Sequence, residues 1–306
     1  MQSLAKVPIM SSSLCLMLFF NLLVSMTPYT ANWIEETSNV PSQSSNLNEI
    51  PPDLTIPKVT DETPSAGKRV HEKIADYAET PIQHLLYLPT DWKPNLKYPV
   101  VVEYPGRGGF SNRLGDHCDG SLEGCKLGYG ISGGQGMIWV VLPFLDSEKK
   151  SHQTREWGDP KVSAEYCRAA VKHVCERWGG DSSRLILTGF SRGALACGTV
   201  GLYDDETAKL WRAIICHSHF DGVRTWNYPG SDRQSAKARW ERLGQRPLFI
   251  SQETSVDDIA KYLDESGLSL KSQLMVLPYP NHTDAWILKD IPERANLRKW
   301  VHDSIQ

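Results

Sequence analysis

The residues best suited to chemistry lie at positions 189–193, which read Gly-Phe-Ser-Arg-Gly and place Ser191 between two glycines. An apolar run at 185–187 precedes them, and helix-forming residues follow them. A tight turn from a strand into a helix forces its central residue into a sparsely populated backbone conformation, and glycines on either side avoid collisions with neighbouring elements. This context is typical of the G-x-S-x-G nucleophile motif. We therefore predict that Ser191 is a nucleophile; the alternative is a glycine-rich helix start without chemistry.

The histidine expected to activate Ser191 is His282. A serine hydroxyl is a poor nucleophile near neutral pH, so it needs a base within hydrogen-bond reach and a third group that orients the base. His282 follows a predicted strand at 273–277 and lies in the turn-forming segment 278–283. A turn at this point brings an imidazole to the carboxyl edge of a sheet. The chain has nine histidines, and the others are less well placed.

The acidic member of the group is left open between three residues. It is expected after the predicted strand 248–251, where Glu253 and Asp257 lie. Ser255 and the residues after it have the form of a helix start, in which a serine caps the helix and carboxylates favour the first turn. Because Asp257 then has a structural role, Glu253 is favoured, with Asp257 and Asp221 as alternatives.

Acyl transfer also requires hydrogen-bond donors aimed at the developing oxyanion, and losing one donor typically costs about 3 kcal/mol of transition-state stabilisation. The backbone amide of Arg192, directly after the serine, is expected to be one donor. A β-branched predicted strand at 98–104 runs into 105–109, which reads Pro-Gly-Arg-Gly-Gly. We expect the second donor in this turn, at the amide of Arg107 or Gly108.

A metal centre is not expected. His217, His219 and Asp221 lie close enough in sequence to suggest ligands, but alternate residues on an extended segment can equally line a pocket rim. No further clustered ligand accompanies them, and the sequence has no C-x-x-C pair that would supply thiolates. We therefore predict neither a metal nor another cofactor.

The elements that must position these residues alternate along the chain. Apolar and β-branched runs predict strands, and apolar residues at helical spacing predict helices. The predicted strands are 82–88, 98–104, 137–143, 185–190, 211–217, 248–251 and 273–277. The predicted helices are 160–178, 192–203, 231–243 and 257–266. Such alternation indicates an α/β fold, with a doubly wound, mostly parallel sheet in a single catalytic domain.

Two features are candidates for substrate specificity. Residues 110–135 are rich in glycine and lack a helical period, so they are predicted to form a long loop. Because this loop follows the oxyanion turn, its part between Cys118 and Cys125 is expected to set substrate preference. Four tryptophans are candidates for a sugar-stacking rim, with packing in the core as the alternative. They are Trp139, Trp157, Trp226 and Trp286.

The amino terminus has the pattern of an export signal. Lys6 precedes an apolar stretch at 14–24, which is too short to span a bilayer comfortably. We predict a signal peptide at 1–31, a disordered linker at 32–68 and a catalytic domain at 69–306. The protein is thus expected to be secreted or periplasmic, with no stable membrane span after signal cleavage. The alternative is an uncleaved anchor.

Export would make disulfide bonds possible. The chain has seven cysteines, of which Cys15 lies in the predicted signal peptide. Cys118 and Cys125 are near enough in sequence to close a small ring. Cys197 and Cys216 are either bridged or buried as thiols. We expect disulfide bonds, and the sequence leaves their connectivity open.

The overall composition is that of an ordinary globular protein, with 306 residues, 40% hydrophobic and 23% charged. This length is enough for one large α/β domain. The formal net charge of −3 shows no basic excess. A nucleic acid is therefore not an expected partner, because binding to a phosphate backbone depends on such an excess.

These residues together resemble the α/β-hydrolase fold, in particular esterases of the polyhydroxybutyrate-depolymerase, feruloyl-esterase and acetyl-xylan-esterase kind. The resemblance covers about residues 80–300. It rests on Tyr-Pro-Val-Val-Val before the glycine turn, on the segment around Ser191, on the Asn-His pair at 281–282, and on the chain order serine, acid, histidine. Many relatives have Gly-x-x-Asp after the strand that corresponds to 248–251. This chain instead has Ser-Gln-Glu-Thr at 251–254.

The resemblance implies a secreted serine hydrolase that cleaves carboxylic esters through an acyl-enzyme intermediate, without a cofactor. Its substrate would be a small-molecule or polymeric ester, carbohydrate-linked esters included. Two alternatives stay open, namely a serine peptidase on the same fold and a catalytically silent glycan-binding homologue. The implied site comprises Ser191, His282, Glu253 or Asp257, and the amides of Arg107, Gly108 and Arg192.

Overall fold

The computed structural model describes residues 46–149 and 151–306. The predicted signal peptide at 1–31 and the first part of the predicted linker, 32–45, lie outside the described residues. Among the helices of these two ranges, none combines the length and the apolar character that a membrane-spanning segment needs.

The strands of the described chain are β1 (Val59–Thr60), β2 (Arg69–Glu72), β3 (His84–Tyr87), β4 (Tyr98–Tyr104), β5 (Phe110–Ser111), β6 (His117–Cys118), β7 (Ile138–Val141), β8 (Gly180–Phe190), β9 (Ala213–His217), β10 (Leu248–Glu253) and β11 (Ser272–Leu277). Within the described residues, nine of them form one sheet in the order β1-β2-β3-β7-β4-β8-β9-β10-β11, and β5 pairs with β6 separately. Neighbours from β7 to β11 are parallel, whereas β3 is antiparallel to both β2 and β7. The predicted mostly parallel sheet is thus confirmed.

The helices of the described chain are α1 (Leu127–Ser132), α2 (Pro160–Arg177), α3 (Arg192–Thr199), α4 (Asp205–Ala208), α5 (Arg233–Glu241), α6 (Asp257–Ser266) and α7 (Pro292–Ser304), with 3-10 turns at Leu47–Glu49, Ala75–Tyr77 and Ala285–Leu288. Local sequence explains several helix starts. The Asp159 side chain accepts the amides of Lys161 and Val162, and a proline begins α2, where its missing amide hydrogen has no cost.

The sheet is covered on both faces, which explains why its strands are continuous apolar runs. Alternate residues of a strand point to opposite faces. Val100 and Val102 of β4 therefore pack in one core layer, together with residues of α2, α3, α5 and α6. Val101 packs in the opposite layer, with residues of α1 and α7. Because β4, β8, β9, β10 and β11 run parallel, the loops at their carboxyl ends meet at one edge.

The glycine-rich region 110–135 is not the uniform loop expected from its sequence, since it contains α1 and the β5–β6 hairpin. Helix α1 begins beside the buried carboxylate of Glu103, which accepts hydrogen bonds from the amides of Lys126, Leu127 and Gly128. Burial raises the pKa of Glu103 to about 7, while these hydrogen bonds favour its ionised form. A Cβ at Gly128 would lie 2.0 Å from the Trp139 ring. Glycine is thus required by close packing, which a search for helical periodicity does not detect.

The prediction of a disordered linker is wrong for residues 46–68. Leu47 is buried, and β1 pairs with β2 at the edge of the main sheet. Asp53 forms a two-pronged ion pair with Arg294 of α7, with distances of 2.5 and 2.8 Å. The segment is held by a few long-range contacts and has no apolar period of its own, so its composition resembles that of a linker.

The expected disulfide bonds are absent from the described residues, where all six cysteines are unbridged thiols. Cys197 lies on α3 and Cys216 on β9, both fully buried. Their sulfur atoms lie near backbone carbonyls, 3.5 Å from Gly193 O for Cys197 and 3.7 Å from Ala194 O for Cys216. These two cysteines therefore match the alternative interpretation, in which they are small apolar side chains of the core.

Candidate active site

Ser191 stands at the turn between β8 and α3 with φ 55° and ψ −114°, a conformation rarely adopted by a non-glycine residue. The flanking glycines have the steric role expected from the sequence. A Cβ at Gly193 would lie 2.0 Å from the Tyr104 carbonyl oxygen, and one at Gly189 would lie 2.2 Å from the Gly193 backbone. The Ser191 amide donates to the His217 carbonyl at 2.9 Å, which ties the turn to β9.

The structure brings Ser191, His282 and Glu253 into one chain of hydrogen bonds. His282 Nε2 lies 3.1 Å from Ser191 Oγ, and His282 Nδ1 lies 2.9 Å from Glu253 Oε1. An ionised carboxylate accepts hydrogen bonds and cannot donate them, so the histidine proton belongs on Nδ1. Nε2 is then free to accept the serine proton. This is the arrangement of a serine, a base and an orienting acid.

Glu253 is the last residue of β10, and its side chain is only 9% exposed. Burial opposes its ionisation, but the hydrogen bond from His282, the electrostatic attraction of the His217 and His282 rings and the hydrogen bond from Ser218 outweigh this effect and lower the pKa of Glu253 to about 2. The Ser218 hydroxyl donates directly to Oε1, the same oxygen that binds His282. Glu253 is therefore an anion throughout the neutral range, as an orienting acid must be.

The other two acid candidates do not reach the histidine. Asp257 is exposed at the start of α6, where its amide donates to Ser255 Oγ at 3.0 Å. Asp221 is fully buried and pairs with Arg239 at 2.8 Å. The sequence analysis grouped Asp257 with Ser191 and His282, but the turn between β10 and α6 separates it from them.

Of the expected oxyanion donors, Arg192 and Arg107 keep available amides, but Gly108 does not. The Arg192 amide is the first of α3, and the first amides of a helix have no acceptor within it. The Arg107 amide has no acceptor among the described residues. The Gly108 amide donates to the Thr154 carbonyl at 2.8 Å, so the assignment of Gly108 as an oxyanion donor is corrected. The acceptor lies in a distant segment, which the local motif could not indicate.

Asp116 is a residue of the site that sequence reasoning missed. Its carboxylate is buried, and Oδ2 accepts the backbone amide of His282 at 3.0 Å. The other oxygen, Oδ1, accepts the Asn281 side chain at 2.8 Å. Asp116 therefore anchors the loop that carries the histidine. It lies in a glycine-rich region without a motif, and no local signal marks it.

The buried His217 is explained by hydrogen bonds within the core. Its Nδ1 lies 3.0 Å from Ser251 Oγ, and its Nε2 lies 3.0 Å from both the Trp286 indole nitrogen and the Thr283 carbonyl oxygen. Burial lowers the pKa of His217, which favours the neutral ring. Across residues 46–149 and 151–306, no group of three histidine, cysteine or acidic side chains could hold a metal ion.

The four tryptophans considered for a rim fall into two pairs. Trp139 and Trp286 are buried in the core, so the rim hypothesis is wrong for them. The ring centres of Trp157 and Trp226 lie 6.1 Å apart. The Trp226 ring is tilted against that of His219 at 4.9 Å, and the His219 ring lies 5.3 Å from that of His282. A row of rings thus leads outward from His282. It borders a cleft of about 350 Å³ that Glu253, His219, Arg224 and Trp226 help to line.

No protein-family model matches this chain, and no curated protein does. Solved structures are similar to it. Esterases from Rhizomucor miehei align at a TM-score of 0.51 and 14% identity, over 78% of this chain and 84% of theirs. A thermostable esterase aligns at 0.46 and 16% identity, over 77% of this chain and 62% of its own. Dipeptidyl peptidase 4 of Porphyromonas gingivalis aligns at 0.48 and 16% identity, over 72% of this chain and 33% of its own.

The chain spans less than two thirds of the length of the thermostable esterase and about a third of that of the peptidase. The similarity to the fungal esterases, together with the mostly parallel sheet and the serine turn after β8, shows that the chain has the α/β-hydrolase fold. This agrees with the fold that the sequence resemblance implies.

Proposed function

We propose that this protein is a serine hydrolase that cleaves carboxylic esters through an acyl-enzyme intermediate. The observation that carries the proposal is the continuous hydrogen-bond chain from Glu253 through His282 to Ser191, at 2.9 and 3.1 Å. The position of Ser191 in the fold supports the same conclusion. The serine stands in a strained turn at a helix start, where the hydroxyl is presented beside amides without acceptors.

The reaction follows from this geometry. Ser191 Oγ attacks the carbonyl carbon of the ester while His282 Nε2 takes the hydroxyl proton. The carbonyl oxygen becomes an oxyanion, which the amides of Arg107 and Arg192 stabilise. When the tetrahedral intermediate collapses, His282 returns the proton to the leaving alcohol, and an acyl group remains on Ser191. Water, activated by the same histidine, then releases the acid. Glu253 holds the ring and stabilises its charged form.

An ester is proposed as the substrate because the residues of the chain resemble those of esterases. The same groups could cleave an amide, in which the leaving amine must be protonated. A panel of p-nitrophenyl esters from acetyl to longer acyl chains, feruloylated sugars and matched p-nitroanilides separates these activities. Ester turnover exceeding anilide turnover supports the proposal. The reverse ranking would identify a peptidase instead.

The decisive experiment combines labelling with turnover. A fluorophosphonate probe should label the wild-type protein at Ser191, and ester turnover should be lost in Ser191→Ala. Ser269→Ala is a matched control, since this serine is exposed and lies outside the site. It should retain labelling and turnover. A wild-type protein with an intact fold by circular dichroism, but neither labelled nor active, would exclude a serine hydrolase and favour a silent binding protein.

We also propose that the chain is exported, because Lys6 and the apolar stretch at 14–24 have the pattern of a signal peptide. Amino-terminal sequencing of the protein recovered outside the cytoplasm tests this proposal. A new terminus near residue 31 is expected. An intact Met1 in a membrane fraction would indicate an uncleaved anchor instead.

A further inference from the structure

Arg192 contributes more than its backbone amide, because its side chain reaches a segment far from the serine in sequence. Its guanidinium Nη1 donates to the carbonyls of Gln153 and Glu156, at 2.8 and 2.6 Å. We call residues 153–156 the carbonyl strap; they lie between β7 and α2. One side chain thus holds both ends of the carbonyl strap.

The middle of the carbonyl strap is bound by the other half of the oxyanion site. The Gly108 amide donates to the Thr154 carbonyl at 2.8 Å. Arg107 Nε donates to the Arg155 carbonyl at 3.0 Å. All four carbonyls of the strap therefore accept hydrogen bonds from residues that flank or supply the two proposed oxyanion donors. The strap connects the glycine turn after β4 to the helix start after β8.

The guanidinium of Arg192 occupies an unusual environment. The residue is 1% exposed, and its guanidinium carbon lies 4.0 Å from the centre of the Phe144 ring. No carboxylate pairs with it in the described part of the chain, and its Nε and Nη2 atoms are buried without hydrogen-bond partners there. Burial lowers the pKa of Arg192 to about 9, which still leaves it a cation at neutral pH.

An unpaired buried charge is unfavourable for stability, and an apolar side chain of similar size would fill this space at lower cost. Such a group is more readily explained by the position that it imposes on its partners than by the folding energy that it contributes.

Apart from these bonds, the carbonyl strap is held at its first residue, where the Gln153 amide donates to the Phe144 carbonyl at 2.7 Å and the Gln153 side chain donates to Ser151 Oγ at 2.8 Å. Thr154, Arg155 and Glu156 are exposed, so side-chain packing does not set the position of this segment. Segments with few buried contacts are the most mobile parts of a fold. Gly108 must also approach the strap closely, since a Cβ there would lie 3.0 Å from the Thr154 carbonyl oxygen. The position of residues 154–156 thus depends on the hydrogen bonds to their carbonyls.

We infer that the Arg192 side chain is a positioning group for the oxyanion site, acting through the carbonyl strap. It fixes the two ends of the strap, and the strap then holds the glycine turn so that the Arg107 amide keeps its place relative to the Arg192 amide. This inference rests on the proposed hydrolase function. It assigns to the residue after the nucleophile a second task, carried out by its side chain.

The test compares Arg192→Met, which keeps the length and loses every donor, with the wild-type protein. We expect kcat for p-nitrophenyl acetate to fall about 10- to 100-fold, because small displacements of an oxyanion donor are costly, with KM changed less than about twofold. Arg192→Lys keeps the charge and should recover part of the loss. Arg246→Met is the matched control, since that guanidinium also binds backbone carbonyls but lies away from the site.

A second readout separates positioning from general damage. A trifluoromethyl ketone binds when Ser191 Oγ adds to its carbonyl, which forms an oxyanion while His282 takes the proton. Its affinity for Arg192→Met should fall by the same factor as kcat, whereas the corresponding alcohol, which forms no oxyanion, should bind unchanged. The inference would be overturned if the affinity of the ketone for Arg192→Met stayed unchanged, as expected for the alcohol. A kcat within twofold of wild type would overturn it as well.

Failure of the proposed function gives a different pattern, in which the wild-type protein itself neither hydrolyses esters nor reacts with a fluorophosphonate.

If Arg192→Met does not fold, Arg107→Ala carries the test. This side chain is exposed, and its removal deletes the contact to Arg155 while the Arg107 backbone amide remains. We expect kcat to fall about threefold to tenfold, as for a partly displaced donor. An unchanged kcat in that variant would overturn the inference.

Discussion

The backbone amide of His282 donates to Asp116 Oδ2 at 3.0 Å, across 166 residues of sequence. The proposed catalytic base is therefore carried on a loop whose position depends on a buried carboxylate in another part of the chain. Two separate contacts hold the histidine, since Glu253 orients its ring and Asp116 holds its backbone. The predictions below test these contacts and the others that define the site.

Replacing Asp116 with alanine should reduce both activity and stability. The amide of His282 and the side chain of Asn281 would lose a buried acceptor, which costs about 1–3 kcal/mol for each unsatisfied group. We expect kcat to fall about tenfold because the base is less well placed. Urea unfolding and ester kinetics measure both effects. Asp119→Ala removes an exposed carboxylate of the same region that binds Ser121, and comparable losses there would argue against a specific role for Asp116.

Glu253→Gln should lower kcat by about three to four orders of magnitude, because an amide supports the wrong tautomer of His282 and does not stabilise its charged form. The measurement is kcat/KM for p-nitrophenyl acetate, with circular dichroism to verify the fold. Asp257→Asn provides the comparison, since this aspartate does not contact the histidine, and its activity should stay within about twofold of wild type. A larger loss in Asp257→Asn than in Glu253→Gln would reverse the assignment of the acid.

The ionised Glu253 should make stability depend on acid pH. Its pKa is lowered to about 2 in the folded protein, below the ordinary value of 4.5. Its stabilising contribution is therefore complete above about pH 4.5 and is lost as pH falls through about 2. The difference in unfolding free energy between wild type and Glu253→Gln should shrink over this window in urea titrations. A difference that stays constant with pH would contradict this assignment of charge.

Gly193→Ala should destabilise the serine turn, since the added Cβ would lie 2.0 Å from the Tyr104 carbonyl oxygen. Overpacking of this kind costs about 1–3 kcal/mol or more, and the shift should also reduce kcat. Thermal unfolding and ester kinetics provide the measurements. Gly244→Ala is the control, because its φ is 60° but no atom lies within 4 Å, so the cost is that of backbone strain alone, about 1 kcal/mol. Equal effects of the two changes would mean that no steric clash occurs in the turn.

Trp226→Ala should affect large substrates selectively. The ring lies 4.9 Å from His219 and borders the cleft beside the proposed catalytic residues. Loss of a stacking surface should raise KM for aromatic esters about fivefold to tenfold, since such contacts contribute about 1 kcal/mol, with little change for an acetyl ester. Tyr203→Ala removes an exposed ring elsewhere and should leave both KM values unchanged. An equal rise in KM for acetyl and aromatic esters would contradict a binding role.

The sequence alone determined the α/β class, the positions of Ser191 and His282, and the order of the central elements, namely strands β3, β4 and β7 to β11 and helices α2, α3, α5 and α6. These follow from local rules, because a strand, a glycine-flanked serine and a helix occupy consecutive residues, and a turn follows the last strand. The sequence also favoured Glu253 on a local argument, namely that Asp257 begins a helix. Local rules failed for α1, whose start depends on the buried carboxylate of Glu103.

Only the tertiary structure decided which groups meet. Glu253 and Asp257 are four positions apart, and the turn after β10 determines that the first faces His282 while the second faces solvent. The Gly108 amide is already bound to Thr154, and Asp116 holds the histidine loop. These relationships join residues distant in sequence, and each depends on how several elements pack together. The requirement for a nucleophile, a base and an acid can be recognised locally, whereas their supporting partners are set by contacts that no local pattern records.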